Sequence, residues 1–318
     1  MARLGSTDLD VFPICLGGNV FGWTADREQS FAVLDQYAAS GGDFVDTADA
    51  YMARVPGNSG GESETIIGEW VRSRGNRDDV VLATKVGGWA ERPGLAADNV
   101  RAAAEDSLRR LGTDRIDLYY AHRDDPSTPL EETLRAFDEL VRAGKVRHIA
   151  ASNYTAPRLA EALAVSDREG LARFAALQPH YNLVERADFE GELAELCQRE
   201  GLGVLPYFAL AKGFLSGKYR TRPESPDTDR PDADSPRAEG ARAYLDARGG
   251  AVLAALDEIA AQRDVPVSAV PLAWLRAQPA VSAPIASARN GEQLAGVLRG
   301  AEITLTAEEL DQLDAASA

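Results

Sequence analysis

Short, continuously apolar runs alternate along this chain with longer stretches of helical periodicity. The runs are ICLGG at 14–18, DFVDTA at 43–48, VVLATK at 80–85, IDLYYAH at 116–122, VRHIAAS at 146–152, FAALQ at 174–178, LGVLPY at 202–207 and VSAPIA at 281–286. Each is too short and too uniformly apolar to leave one face in water, so they predict strands buried on both faces of a parallel sheet. Between them, Phe31, Leu34, Tyr37 and Ala38 share one face of a helix that Gly41 and Gly42 stop. A helix over 98–112 opens on Asp98 as a candidate N-cap and closes at Gly112, and one over 129–145 runs from Pro129 to Gly144. The pattern predicts further helices over 157–169, 188–201, 241–263 and 266–277.

The rhythm of the runs selects an architecture. Their starts recur at intervals of 28–37 residues, with one last interval of 79. Near-equal β–α periods ending in one enlarged period predict an α/β fold, a (β/α)8 TIM barrel forming one domain over 1–318. A doubly wound sheet is the alternative, but the first run continues as CLGGNVFGW, without the G-x-G-x-x-G fingerprint. The opening LGSTDLDVF has a weak hairpin pattern suited to plugging the barrel floor. The enlarged period contains RTRPESPDTDRPDADSPRAEG at 220–240, which has almost no apolar content and reads as a long surface loop after strand seven. It leaves the end of the barrel where sites are built, so a lid is one expectation for it and a functionless insertion the other.

Charge and cysteine usage narrow the partners. Fifty acidic against 34 basic side chains give a net charge of −16. That field argues against nucleic-acid or membrane binding, and an anionic ligand would need a local pocket of donors. No apolar run approaches the roughly 20 residues of a membrane span, and MARLGSTDLDVF is charged where a signal peptide is apolar. Cys15 and Cys197 are the only thiols. The expectation is a reduced, cytoplasmic protein, monomeric by default, acting on a small molecule.

Candidate chemistry lies at the C-terminal ends of the runs, where barrel side chains meet substrates. FVDTADAY places Asp46 at one strand edge and Tyr51 just beyond; ATK places Lys85 and YYAHRDD places His122 on the next two strands. A Tyr hydroxyl is a poor acid near neutrality, but a neighbouring ammonium lowers its pKa, and a carboxylate offsets the cost of burying that ammonium. His122 can orient a carbonyl oxygen. Together they predict a general acid aimed at a carbonyl.

Six strings, FVDTADAY, ATK, LYYAHRDD, SNY at 152–154, LQPHYNLVER and LPYFALAKGFLSGKY, occur in an order that resembles the aldo-keto reductase family, and the likeness runs from about residue 3 to the end. The resemblance implies a (β/α)8 barrel reducing aldehydes and ketones with NADPH, less readily NADH. It implies Tyr51 as proton donor tuned by Lys85 and Asp46, with His122 orienting the carbonyl. Ser152, Asn153 and Gln178 would hold the nicotinamide carboxamide, and Tyr207 would stack on its ring. Gly213, Leu215, Ser216 and Lys218 would serve the pyrophosphate, and Arg289 the adenosine 2′-phosphate, with Ser287, Asn290 and Gln293 as its neighbours in that cofactor site. Phe208, Val297 and the Ala286–Ser287–Ala288 turn depart from residues common in the family.

Phe21, Trp23, Tyr51 and Trp89, with Arg123 and Asp124, are the candidate substrate pocket, suited to hydrophobic or ring-bearing carbonyls, and the acidic loop would disfavour anionic ones. Two other functions stand beside the reductase. One is a non-catalytic NADP(H)-binding regulatory or sensor subunit of the same fold. The other is a metal-dependent barrel hydrolase, for which His122, His148 and His180 supply no evident ligand spacing, so no metal is expected.

Overall fold

In a computed structural model, which describes residues 1–220 and 238–318, the chain opens with a hairpin, β1 (Ala2–Arg3) and β2 (Asp10–Val11). The next strands are β3 (Cys15–Gly17), β4 (Phe44–Asp46) and β5 (Val81–Val86), then a small second hairpin, β6 (Gly88–Trp89) and β7 (Arg92–Pro93). β8 (Ile116–Ala121), β9 (Val146–Ser152), β10 (Phe174–Gln178), β11 (Gly203–Val204) and β12 (Ile285–Ala286) complete the set. Excluding the two hairpins, eight strands among the described residues pair in parallel in the order β11-β10-β9-β8-β5-β4-β3-β12. The two ends of this sheet meet. Val204 bridges Val281 in parallel, the Ser282 amide donates to the Val204 carbonyl, and the Ile285 amide donates to Pro206. The sheet therefore closes into the eight-stranded barrel that the spacing predicted.

Two apolar regions follow from strand alternation. Inside the barrel, Cys15, Phe44, Ala83, Leu118, Tyr120, Ala150, Ala176, Leu205 and Ala283 pack together. Leu4, Leu9 and Val11 of the first hairpin join this cluster and close the floor. Gly5 is required there: its φ is +52°, and a Cβ would lie 2.4 Å from the Gly203 amide. The opposite strand faces pack against α1 (Arg27–Ala39), α2 (Glu62–Arg74), α3 (Ala97–Leu111), α4 (Leu130–Arg142), α5 (Ala156–Glu169) and α6 (Glu192–Glu200). After the seventh strand come α7 (Ala238–Arg242), α8 (Ala247–Arg263) and α9 (Ala269–Ala277), then α10 (Gly291–Glu302) and α11 (Ala307–Ser317).

The structure revises several boundaries. α2 is a helix the periodicity reading does not include; Gly68 interrupts its apolar stripe, and a Cβ there would meet the Arg110 carbonyl at 2.4 Å, so close packing on α3 dictates that glycine. Asp98 lies inside α3 and does not cap it; the flanking residue is Ala96, with no side-chain cap. The 241–263 segment divides into α7 and α8, with Asp246 capping the latter through the Gly249 amide. The last two barrel strands are only two residues each because Pro206 and Pro284 remove ladder donors from the runs expected at 202–207 and 281–286. The loop expected at 220–240 falls, for residues 221–237, outside the described residues. No helix of the described residues is long and apolar enough to cross a membrane.

Candidate active site

Strand register sets the geometry at the C-terminal mouth. Ala83 faces the barrel interior, so Lys85, two residues on, does too, and it pairs in register with Tyr120 of β8. Lys85 and the β4 terminus, Asp46, are both almost completely buried. The Lys85 Nζ donates to Asp46 Oδ2 at 2.6 Å, to the Thr47 carbonyl at 2.7 Å and to the Tyr51 hydroxyl at 3.0 Å. Three acceptors satisfy the three ammonium hydrogens, which is what makes a buried lysine tolerable here. Gln178 Nε2 donates to the other Asp46 oxygen at 3.0 Å. His122 follows β8, its ring 6.1 Å from that of Tyr51 and nearly edge-on.

The electrostatics refine the sequence argument. Burial pushes the Tyr51 phenol up, and the Lys85 charge, which opposes this, does not reverse it, so Tyr51 keeps its proton at neutral pH. Burial also acts against the Lys85 charge, but Asp46 and Tyr51 outweigh it and hold the amine at about 12. His122 is driven down to about 3, by burial first and then by the charges of Lys85 and Arg123. It is a neutral imidazole, and its Nδ1 is buried without a partner in the structure. Gly88 makes room for it: a Cβ at that residue would stand 2.4 Å from Nδ1.

These groups open onto a cavity of about 530 Å³. Asp46, Tyr51 and His122 line it, as do Arg123, Ser152, Asn153, Gln178, Tyr207, Gly213, Ser216, Lys218, Ser287, Arg289 and Gln293. The polar residues are tied together: Ser152 Oγ donates to the Gln178 carbonyl, Asn153 Nδ2 donates to the His122 carbonyl, and Tyr207 donates to Asn153 Oδ1 at 2.8 Å. Gln293 Oε1 accepts from the Arg289 amide, and Ser287 donates to Asn19.

Other expected residues are placed elsewhere. Phe21 is fully buried in the core because the turn over 18–25 directs its ring inward, and it does not line the cavity. Trp23 and Trp89 also lie outside the lining; Trp89 sits in the β6–β7 hairpin with the Arg92 guanidinium 5.6 Å from its ring. Leu215 is wholly buried, and Asn290 caps α10 by accepting from the Gln293 amide. Asp124 is engaged by Arg158 at 2.9 and 3.0 Å. The departures Phe208 and Val297 both line the cavity.

His180, weighed in the sequence only as a metal ligand, stacks on Tyr207, centroids 5.2 Å apart and 15° from coplanar. Sequence reasoning also missed residues. Lys212 lines the cavity from a left-handed backbone conformation that no local motif announces. Asp49, in the loop between Asp46 and Tyr51, is fully buried with no side-chain donor on its oxygens. Burial, and then the charge of Glu64, raise its carboxyl to about 7. Glu64 is itself held by Arg110 at 2.6 Å and Thr84 at 2.5 Å. The three histidines are dispersed, His148 pairing with Asp8 near the barrel floor, and no group of metal ligands exists among the described residues.

A closed parallel barrel with a buried lysine–carboxylate pair, a phenol and a neutral imidazole around one mouth defines the class of barrel enzymes that work at the C-terminal rim. The chain belongs to the aldo/keto reductase family, which puts it among oxidoreductases: the family's sequence profile, described as "Aldo/keto reductase family", matches residues 13–318. Similar proteins include norsolorinic acid reductase B of Aspergillus parasiticus, 32% identical over 97% of this chain and 81% of that protein. They also include the uncharacterized oxidoreductase YrpG of Bacillus subtilis, 34% identical over 98% and 94%, and protein tas of Escherichia coli, 30% identical over 98% and 96%.

Proposed function

We propose that this protein reduces aldehydes or ketones to alcohols with a nicotinamide coenzyme, NADPH in preference to NADH, with Tyr51 as the proton donor. The observation that carries this reading is the Lys85 ammonium held 2.6 Å from Asp46 and 3.0 Å from the Tyr51 hydroxyl at the wall of an open cavity. The donor set suits the coenzyme. Lys212, Lys218 and Ser216 after β11, with Arg289 after β12, offer three cations and a hydroxyl to phosphates in a protein whose overall charge would repel them. Tyr207, backed by His180, offers an aromatic ring beside the amides of Asn153 and Gln178.

When bound, the coenzyme supplies the hydride that reaches the carbonyl carbon. The protein's own groups handle the oxygen. Tyr51 gives its proton to the developing alkoxide, and the Lys85 ammonium stabilises the phenolate left behind. Asp46 keeps that ammonium charged and fixed, and Gln178 fixes Asp46. Neutral His122 donates an N–H to the substrate oxygen and does not compete for its proton. Tyr51→Phe tests the assignment: reduction falls by about 10²–10⁴-fold, while coenzyme affinity read by fluorescence quenching stays close to that of the parent. A variant that keeps most of its rate removes Tyr51 from the acid role.

A further inference from the structure

Arg123 stands beside the imidazole, exposed at the cavity wall. Among the described residues it has no hydrogen-bond or ion-pair partner, although the next two residues are aspartates. Both are committed elsewhere. Asp124 is gripped by Arg158 through both carboxylate oxygens. Asp125 accepts from the Leu95 amide at 2.8 Å and from Thr128 at 2.7 Å, closing the turn. The segment HRDD thus spends its acids on the scaffold and leaves its guanidinium facing the ligand space.

The cavity around it is cationic. Arg123, Lys212, Lys218 and Arg289 line it, and Asp46 is the one carboxylate among its described lining residues. Asp46 is neutralised by Lys85. The four cations are not clustered. In the closed sheet β8, which Arg123 follows, is separated from β12, which Arg289 follows, by three strands on either side, so the two guanidiniums belong to opposite sides of the barrel mouth. Phosphates held after β11 and β12 leave Arg123 out of reach of that end of the coenzyme and on the side of Tyr51 and His122. Its field acts on both the His122 ring and the Tyr207 phenol.

We propose that the substrate is a carbonyl compound carrying a carboxylate, and that Arg123 is the specificity residue that receives it. This rests on the reductase reading above. One guanidinium matches a monoanion: its planar fork meets the two oxygens of a carboxylate. In a protein of net charge −16, a cation at the mouth that has no ion-pair partner among the described residues is the local donor that an acidic substrate requires. A carboxylate-bearing substrate reverses the expectation, drawn from the acidic 220–240 stretch, that anionic substrates are disfavoured.

The test compares 4-carboxybenzaldehyde with its neutral analogue 4-formylbenzamide. The parent prefers the acid by about 10- to 100-fold in kcat/KM, the range of a charged hydrogen-bonded contact. In Arg123→Ala the ratio falls to about 1, with the loss in KM for the acid, and Arg123→Lys recovers part of it. A parent without preference, or a ratio unchanged in Arg123→Ala, overturns the proposal. A titration of 4-(hydroxymethyl)benzoate, followed calorimetrically with and without oxidised coenzyme, separates the two readings. Binding lost in Arg123→Ala supports the carboxylate site even if neither aldehyde is reduced, which would sink the reductase reading alone. No binding to the parent, or equal binding to parent and variant, overturns the carboxylate site.

Discussion

Gly88→Ala is the substitution that most directly probes the arrangement around His122. Gly88 has no left-handed backbone requirement, so alanine is allowed by its dihedral angles, and the whole effect comes from one methyl group. That methyl would lie 2.4 Å from His122 Nδ1, 2.9 Å from Cγ and 3.0 Å from Cε1. Ordinary contact begins near 3.4 Å, so the imidazole must retreat by about 1 Å. A misplacement of that size at a positioned group costs roughly 10²-fold in rate, about 2.7 kcal/mol in the barrier. The crowding itself costs about 1–3 kcal/mol of stability, as for other overpacked sites. The assay is steady-state kcat/KM on an aromatic aldehyde, with urea unfolding to confirm that the fold survives. Gly250→Ala is the control: Gly250 is exposed in α8, and a methyl added there would have nothing within 4 Å. That change should stabilise by about 0.5–1 kcal/mol without affecting the site. If Gly88→Ala keeps its kcat/KM within about threefold of the parent while remaining folded, then the imidazole's position does not matter to the reaction and the role given to His122 fails.

Two further perturbations follow from the charges. Asp49 holds its proton to about pH 7 in the folded chain, against about 3.9 unfolded. Between those values the folded state binds the extra proton, so stability falls as pH rises from about 4 to about 7 and stays low above it. Asp49→Asn removes that slope and stabilises at pH 8 by up to about 4 kcal/mol; urea midpoints that run parallel for parent and variant across this range contradict the assignment. Arg289→Ala weakens NADPH by about tenfold or more and leaves NADH nearly as before, since the guanidinium's proposed partner is the 2′-phosphate. An equal loss for the two coenzymes, measured by fluorescence titration, removes that partner.

Local pattern alone specifies the barrel and the identity of its central chemical groups. Eight buried runs, the first seven at near-constant intervals, leave few ways to satisfy every backbone group except a closed parallel sheet, and Asp46, Lys85 and His122 fall near run ends whatever the helices do. Periodicity is local, so it could be read. Which side chains share a wall is not local. Phe21 and Trp89 come after barrel strands just as His122 does, yet backbone turns over 18–25 and 88–93 direct them away from the cavity. The balance between burial and Lys85 at Tyr51, the stacking of His180, the glycine that admits His122 and the place of Arg123 on the cavity wall all depend on distances between segments far apart in the chain. Desolvation and steric contact are set by what the closed barrel packs around each group, and no stretch of sequence carries that information until the chain has folded.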